Sequence, residues 1–282
     1  MTAPACASDP PALRPGELVR RHRLSTRLWH WTNALALMVM LMSGLMIFNA
    51  HPRLYWGHYG ANPDPAWLEI GNRGAVGVVR IGSLTLETSG LFGTYTDAHG
   101  AMQASAFPGW MTIPSGYSLA DARLWHLAFA WVLAASFTLY LAWSLANGHL
   151  RRDLHITRAE WAPRHLWHDI RDHARLRFPA GAAALRYGVL QKLAYCGVLF
   201  GLIPLAIFTG LTMSPGSDAA LPFLIDLFGG RQSARSLHFL AAIGLVLFFA
   251  VHIAMVLLSG PVNQLRGMVT GRFRLPGEKH HG

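Results

Sequence analysis

The stretch RSLHFLAAIGLVLFFAVHIAMVLLSGP, from Arg235 to Pro261, decides the fold class of this chain of 282 residues. It is apolar over more than the ~20 residues that cross a hydrocarbon core of about 30 Å, and it ends at Ser-Gly-Pro, a common helix stop. It nevertheless contains two imidazoles, His238 and His252. Fourteen residues of α-helix rise about 21 Å and return to nearly the same face. The two histidines therefore mark two depths on one side of a membrane helix.

Three further windows are apolar over a similar length, and only 13% of the residues are charged, against roughly 25% in soluble domains. We therefore predict an all-α membrane protein, a four-helix transmembrane bundle that forms a single membrane domain over residues 1–282. The predicted spans are 28–48, 122–145, 189–213 and 237–258.

The first window could be mistaken for a signal peptide. It is long for that role and lacks a small-residue cleavage site after Phe48, so we interpret it as a retained helix. Cys6 and Cys196 form no motif. Neither a disulfide framework nor covalent haem attachment is therefore predicted.

The formal net charge of +10 has an uneven distribution along the chain. Of the 24 Lys and Arg residues, 17 lie in the N-terminal tail, in the segment between the second and third spans, and in the C-terminal tail. The positive-inside rule then places both termini of this multi-pass chain in the cytoplasm. This distribution accounts for the basic charge without nucleic-acid binding.

Two connections between the spans are long. Residues 49–119 form an outer-side loop in which the alternating stretch from Gly77 to Gly93 predicts a short hairpin. A loop of this length is often functional, and it either shields the helix ends or docks a partner. Residues 147–186 are basic and contain Trp161 and Trp167, which is typical of an amphipathic helix lying at the lipid headgroups on the cytoplasmic side.

Four of the fifteen histidines lie within the predicted spans: His30, His126, His238 and His252. The predicted topology gives two pairs at matching depth, His126 with His238 near the outer side and His30 with His252 near the cytoplasm. Imidazoles paired across facing helices are suited to axial ligation of haem b, which favours electron transfer. Any single one could instead be a satisfied core residue or part of a proton relay, but two depth-matched pairs favour two haem b groups. Gly44, fourteen residues after His30, leaves space for a porphyrin or serves helix packing.

At these histidines the chain resembles the bacterial di-haem cytochrome b family, which includes the membrane subunits of formate dehydrogenase, nickel-iron hydrogenase and thiosulfate reductase. The resemblance covers essentially the whole chain, and it implies a single cytochrome b membrane domain over residues 1–282 in the bacterial inner membrane. Its outer loop, with LYWG and FPGWMTIP, looks most like the thiosulfate reductase branch. The motifs that carry the resemblance are RLWHW from Arg27, RLWHLAFAW from Arg123, YGVLQKLAY from Tyr187, FTGL from Phe208 and SLHFLAAIGLVLFFAVH from Ser236.

The resemblance implies that His30 and His252 ligate the cytoplasmic-side haem iron, and that His126 and His238 ligate the outer-side iron. It places Arg27 near a haem propionate, although Arg27 also reads as an ordinary cytoplasmic anchor. In this family the third helix often starts Tyr-Asn-x-x-Gln-Lys, near a quinone site.

Three residues here match that quinone motif, Tyr187, Gln191 and Lys192, while Gly188 replaces the Asn. Gln191 and Lys192 could supply hydrogen bonds and protons to a quinone; alternatively, they form a polar cap at the helix start.

The function favoured by these patterns is an electron-transfer subunit of an oxidoreductase complex rather than its catalytic subunit. It would connect the quinone pool to a periplasmic redox enzyme, a molybdopterin oxidoreductase by analogy with the thiosulfate reductase branch. A second hypothesis is a self-contained oxidoreductase that exchanges electrons between quinone and an outer-face substrate such as superoxide. A third is a proton or metal pathway without haem, which would require acidic residues that the spans lack apart from Asp121 at a helix start.

Overall fold

The computed structural model describes residues 14–176, 181–185 and 187–276. Cys6, Arg177, Arg186 and Lys279, which entered the composition and charge arguments, lie outside the described residues. Contacts divide the chain into two compact units. We call residues 28–143 with 196–250 the loop-side unit, and the described parts of 1–27, 144–195 and 251–282 the terminal unit.

Four helices are long and apolar enough to cross a membrane, as the sequence predicts. They are Leu24–Asn49 (α1), Leu119–Ala146 (α2), Val189–Met213 and Arg231–Leu258 (α8). Each predicted span lies within one of them. α2 starts with a capping arrangement, in which the Ser118 hydroxyl donates to the Asp121 carboxylate at 2.7 Å and accepts the Asp121 amide at 3.4 Å. The fold is therefore mostly helical.

The third long helix consists of Val189–Cys196 (α4), a π-helical turn at Gly197–Leu202 and Ile203–Met213 (α5). Pro204 lies at the start of α5 and has no amide proton to donate to the preceding turn. A widened turn accommodates the missing hydrogen bond without ending the helix. Two short helices, Pro215–Ala220 (α6) and Phe223–Leu227 (α7), lead from α5 to α8.

The long loop contains six β-strands, of which the sequence predicted only the central hairpin. Arg53–Leu54 (β2), Leu68–Arg73 (β3), Val76–Ile81 (β4) and Leu84–Glu87 (β5) form an antiparallel sheet in that order. Gly93–Thr96 (β6) and Met102–Ser105 (β7) pair separately. The predicted hairpin is confirmed as β4 and β5, which turn at Gly82, a residue with φ of +58°.

This β-structure is fixed to the loop-side ends of α1 and α8. Buried Leu54, Leu68, Ile70 and Phe107 form a cluster with Phe48 of α1, and Phe239 of α8 packs against it. The clustered residues explain how a loop of this length stays folded, because its apolar side chains share a core with the membrane helices.

Ser236 of α8 is a second, polar attachment. It is fully buried, donates to the Tyr55 carbonyl at 2.5 Å and accepts the Trp67 indole at 2.9 Å. The β-structure is therefore bonded to α8 two residues before His238.

In the terminal unit, Leu18–Arg20 (β1) pairs antiparallel with Arg272–Arg274 (β8), so the two described chain ends lie side by side. Pro261–Thr270 (α9) precedes β8. Between the second and third long helices, Pro163–Ala174 (α3) forms the helix expected in the basic segment. Trp161 and Trp167 are exposed, as expected of side chains at a lipid surface.

Candidate metal centre

His126 of α2 and His238 of α8 come together in the loop-side unit. Their ring centroids are 6.1 Å apart, and the ring planes make an angle of 64°. A metal–nitrogen bond of about 2 Å on each side, plus about 1 Å from each nitrogen to its ring centre, puts two axial imidazoles roughly 6 Å apart. The spacing therefore fits two ligands of one iron atom.

The Nδ1 atom of His126 is held by α1. It lies 3.1 Å from the Met40 carbonyl oxygen and 3.2 Å from Ser43 Oγ. The buried Ser43 hydroxyl donates its own proton to the Val39 carbonyl at 2.7 Å. Because a carbonyl only accepts, Nδ1 carries the ring proton, and Nε2 retains the lone pair that a metal needs.

His238 is held in the same way by α5. Its Nδ1 lies 3.0 Å from Thr209 Oγ1. The buried Thr209 hydroxyl donates to the Leu205 carbonyl at 2.6 Å. One arrangement thus occurs twice: a helix hydroxyl whose own proton is donated to a carbonyl accepts the Nδ1 proton of the histidine, which leaves Nε2 for a metal.

A glycine follows the hydroxyl residue in both helices. A Cβ atom on Gly44 would lie 3.3 Å from Cε1 of His126, and one on Gly210 would lie 3.4 Å from Cε1 of His238. Both distances are shorter than most Cβ contacts, so the glycines let the imidazoles approach the helices. For Gly44 the contact in the structure is with an imidazole; an approach to porphyrin stays a prediction.

Gly210, Ser43 and Thr209 were not identified as site residues from the sequence. Their signal is the repeated tripeptide Ser-Gly-Leu at residues 43–45 and Thr-Gly-Leu at 209–211. The repeat is short, and only the structure shows that each copy faces a histidine.

The Thr209 hydroxyl is expected to set the potential of a haem at the predicted His126–His238 site. In Thr209→Val the imidazole loses one acceptor of its Nδ1 proton and becomes a weaker electron donor, which stabilises ferric iron less. We expect that haem to shift to a higher midpoint potential in a redox titration, while Thr212→Val serves as the control. Thr212 is equally buried on the same helix, and its hydroxyl donates to the Phe208 carbonyl. Equal potentials in both variants would contradict the assigned role.

His30 and His252, the second predicted pair, lie in different units. His30 is the seventh residue of α1, and its ring contacts Trp31 edge to face at 5.1 Å between centroids. His252 lies in the last two turns of α8, and both histidines are half-buried. Their pairing stays a prediction.

No cluster of three or more His, Cys, Asp or Glu side chains is placed to hold a metal ion within the residues that the structure describes. The metal-binding arrangement that the loop-side unit offers is the His126–His238 pair. Two protein ligands suffice for a haem iron, because the porphyrin supplies the other four nitrogen atoms.

Arg27 caps a helix in the terminal unit. Its guanidinium donates to the Met268 carbonyl at 3.3 Å and to the Val269 carbonyl, both in the last turn of α9. A cation at a helix C-terminus is stabilised by the unpaired carbonyl groups. The predicted propionate contact of Arg27 stays a prediction beside this capping role.

The quinone residues suggested by the sequence lie at the start of α4. Gln191 accepts the Gly188 amide at 3.2 Å, as the residue at the fourth position of a capping box does. Tyr187 and Tyr195 meet edge to face at 5.5 Å between centroids. These contacts match the polar-cap interpretation of Gln191, whose amide nitrogen is not part of that cap.

Lys192 is paired with a carboxylate. Its ammonium donates to Glu160 at 2.7 Å and to the His155 carbonyl at 3.1 Å. The hydrogen bond from Lys192 is the main reason that the pKa of Glu160 falls to about 2. Because this pKa is lowered, the pair stabilises the folded chain above the ordinary carboxyl pKa and loses that effect as the pH falls toward 2.

Arg21 was counted in the sequence only as one of the basic residues. Its Nε is buried without a hydrogen-bond partner among the described residues, and its guanidinium lies over the Phe273 ring at 4.5 Å. Burial lowers the pKa of Arg21, while interaction with Tyr187 and Tyr195 acts in the opposite direction. A half-buried cation thus adjoins the two tyrosines at the start of the third long helix.

Comparison with known proteins gives a family match over most of the chain. The model of a family described as prokaryotic cytochrome b561 matches residues 21–271. A putative protein-methionine-sulfoxide reductase subunit YedZ1 from Azospira oryzae is 30% identical over 146 residues, which cover 52% of this chain and 70% of that protein.

Two further relatives come from Azotobacter. A probable Ni/Fe-hydrogenase B-type cytochrome subunit of Azotobacter vinelandii is 26% identical over 172 residues, covering 56% of this chain and 70% of the relative. A protein of the same name from Azotobacter chroococcum is 26% identical over 148 residues, which cover 49% of this chain and 60% of that protein. No solved structure matches the chain.

Proposed function

We propose that this chain, which belongs to the prokaryotic cytochrome b561 family, carries electrons across the bacterial inner membrane between quinone and a periplasmic redox enzyme through two haem b groups. The family binds haem b, and the chain is a multi-pass electron-transfer protein of the inner membrane. Haem b with both axial positions filled supplies a one-electron couple. The observation that carries the proposal is the His126–His238 pair, with each Nδ1 fixed by a helix.

A second haem site is supported by the continuity of α8. The helix runs without interruption from Arg231 to Leu258, so His252 lies about 21 Å beyond His238 on nearly the same face. His30, near the opposite end of α1 from Gly44, is its proposed partner. Two sites at these depths would provide an electron path across the bilayer.

We propose that both termini are cytoplasmic and the long loop is periplasmic, within a single membrane domain. Support comes from the 17 Lys and Arg residues on the terminal side of the spans. In this orientation His126 and His238 hold the periplasmic-side haem, and the start of α4 lies on the cytoplasmic side.

The proposed quinone site is at the start of α4. Tyr187, Gln191 and Lys192 offer hydroxyl, amide and ammonium groups there, and Arg21 adds a half-buried cation beside Tyr187. Hydrogen-bond donors of this kind can hold the carbonyl oxygens of a quinone.

The proposed docking surface for the partner is the β-structure of residues 50–118. It is bonded to α8 within two residues of His238 and exposes large aromatic side chains, among them Tyr59, Trp110 and Tyr117. Such side chains are enriched in protein interfaces. Relatives named as reductase and hydrogenase subunits support a redox-enzyme partner, and we propose a molybdopterin enzyme of the thiosulfate reductase type.

The alternative function, a self-contained oxidoreductase, makes a different prediction. In that case the purified chain alone should turn over superoxide.

Reduction by a quinol tests the proposed electron path. In the parent protein, a water-soluble quinol should reduce both haems. In His252→Ala, which should retain the haem of His126 and His238, the quinol should no longer reduce that remaining haem, whereas dithionite still does. Quinol reduction of the remaining haem at the parental rate would mean that the quinone reaches it directly and that the path is wrong.

A further inference from the structure

The carboxylate of Asp169 lies beside the proposed quinone residues. The sequence analysis did not identify Asp169 as a site residue. Asp169 lies in α3, yet its Oδ2 accepts the Leu190 amide of α4 at 2.9 Å. A Cβ atom on Gly188 would lie 3.5 Å from both carboxylate oxygens. The carboxylate therefore lies where a side chain of residue 188 would extend.

Asp169 forms one half of an ionisable pair. Its Oδ1 lies 3.3 Å from Nδ1 of His173, which also contacts the Asp169 carbonyl at 2.8 Å. The side chain of Asp169 is 19% exposed and that of His173 is 28% exposed. Because the Asp169 carbonyl only accepts, Nδ1 of His173 carries the ring proton. Asp169 is thus mostly shielded at the start of α4, beside the N–H group of His173.

The other ionisable groups near this helix start are engaged differently. On α4, Lys192 is paired with Glu160, and Gln191 contributes a neutral amide that caps Gly188. On α3, His173 is the ionisable side chain that contacts Asp169. Among the groups that α3 and α4 bring together here, the Asp169 carboxylate is therefore best placed to accept a proton.

We propose that Asp169 is the proton acceptor for quinol at this site and that its partly exposed carboxyl then releases the proton to water. The inference rests on the proposed function. Oxidation of one quinol releases two electrons and two protons; the electrons reduce two ferric haem irons to ferrous irons. One O–H bond of the quinol breaks as the Asp169 carboxylate takes up its proton, and the second proton leaves to water. Quinone reduction runs through the same groups in reverse.

Asp169→Asn removes the group that takes up the proton but keeps the hydrogen bond to the start of α4. The amide oxygen of Asn still accepts the Leu190 amide, so haem content and thermal stability should match the parent. Asn does not take up a proton, so the rate of haem reduction by quinol should fall at least about 10-fold, since general acid–base groups contribute 10² or more. Acetate, a small diffusible base, should restore part of the rate.

Asp172→Asn is the matched control. Asp172 lies on the same helix and pairs with His168 at 3.2 Å, also four residues apart. His168 is 74% exposed, so this pair faces solvent. Its variant should reduce haem at the parental rate. Haem reduction at the parental rate in Asp169→Asn would overturn the inference, as would a slow rate that acetate does not restore. Either result would leave the proposed quinone site in place. A parent whose haems no quinol reduces would instead overturn the proposed function and this inference with it.

Discussion

His126→Ala and His238→Ala should each lose the same haem and retain the other. The two imidazoles lie 6.1 Å apart, so they fit opposite ligands of one iron, and removal of either leaves a vacant axial position. We expect each purified variant to contain about half of the parental haem. A reduced-minus-oxidised spectrum with a pyridine haemochrome assay measures this content.

Double variants distinguish paired ligands from independent ones. His126→Ala combined with His238→Ala should lose no more haem than either single variant, because both act on one site. His126→Ala combined with His252→Ala should lose both haems. A further loss in the first combination, or retained haem in the second, would show that the assignment of ligands to sites is wrong.

Gly210→Leu should abolish the same haem site without changing a ligand. Even a Cβ atom at this position would lie 3.4 Å from Cε1 of His238, and the larger side chain displaces the imidazole from Thr209 and from its partner ring. We expect loss of about half of the haem, as in His238→Ala. Gly44→Leu should act in the same way through His126.

Gly201→Leu is the control for this steric effect. Gly201 lies in the same long helix, and a Cβ atom there would meet no neighbour within 4 Å. Its haem content should equal that of the parent, as should the amount of folded protein. Equal haem loss at Gly201 and Gly210 would indicate general disruption of the helix rather than displacement of His238.

The sequence predicts the membrane helices well because burial in lipid imposes a simple length and composition rule. The structure extends α8 upstream to Arg231, beyond the predicted start at residue 237. The added residues are mostly polar, so an apolar window misses them, and Ser233 and Ser236 hydrogen-bond to the long loop. The β-structure was missed apart from the hairpin, since strands such as Arg53–Leu54 are too short to show a period.

The candidate ligands were found from histidine spacing, but the groups that orient them were not. Ser43 and Thr209 are ordinary small residues in apolar helices, and their role depends on which histidine each faces. Asp169 lies in a segment whose sequence is typical of a basic helix at the membrane surface. Its contact with α4 joins residues 21 positions apart in the chain. Contacts of this kind follow from tertiary packing, which local patterns do not encode.

The haem-to-protein ratio of the intact chain, purified in mild detergent, tests the central claim most directly. Two haem b groups for each chain, with a b-type reduced-minus-oxidised spectrum, is the result that we predict. One haem for each chain would refute the second site formed by His30 and His252. A colourless protein would contradict electron transfer altogether and would favour the pathway without haem.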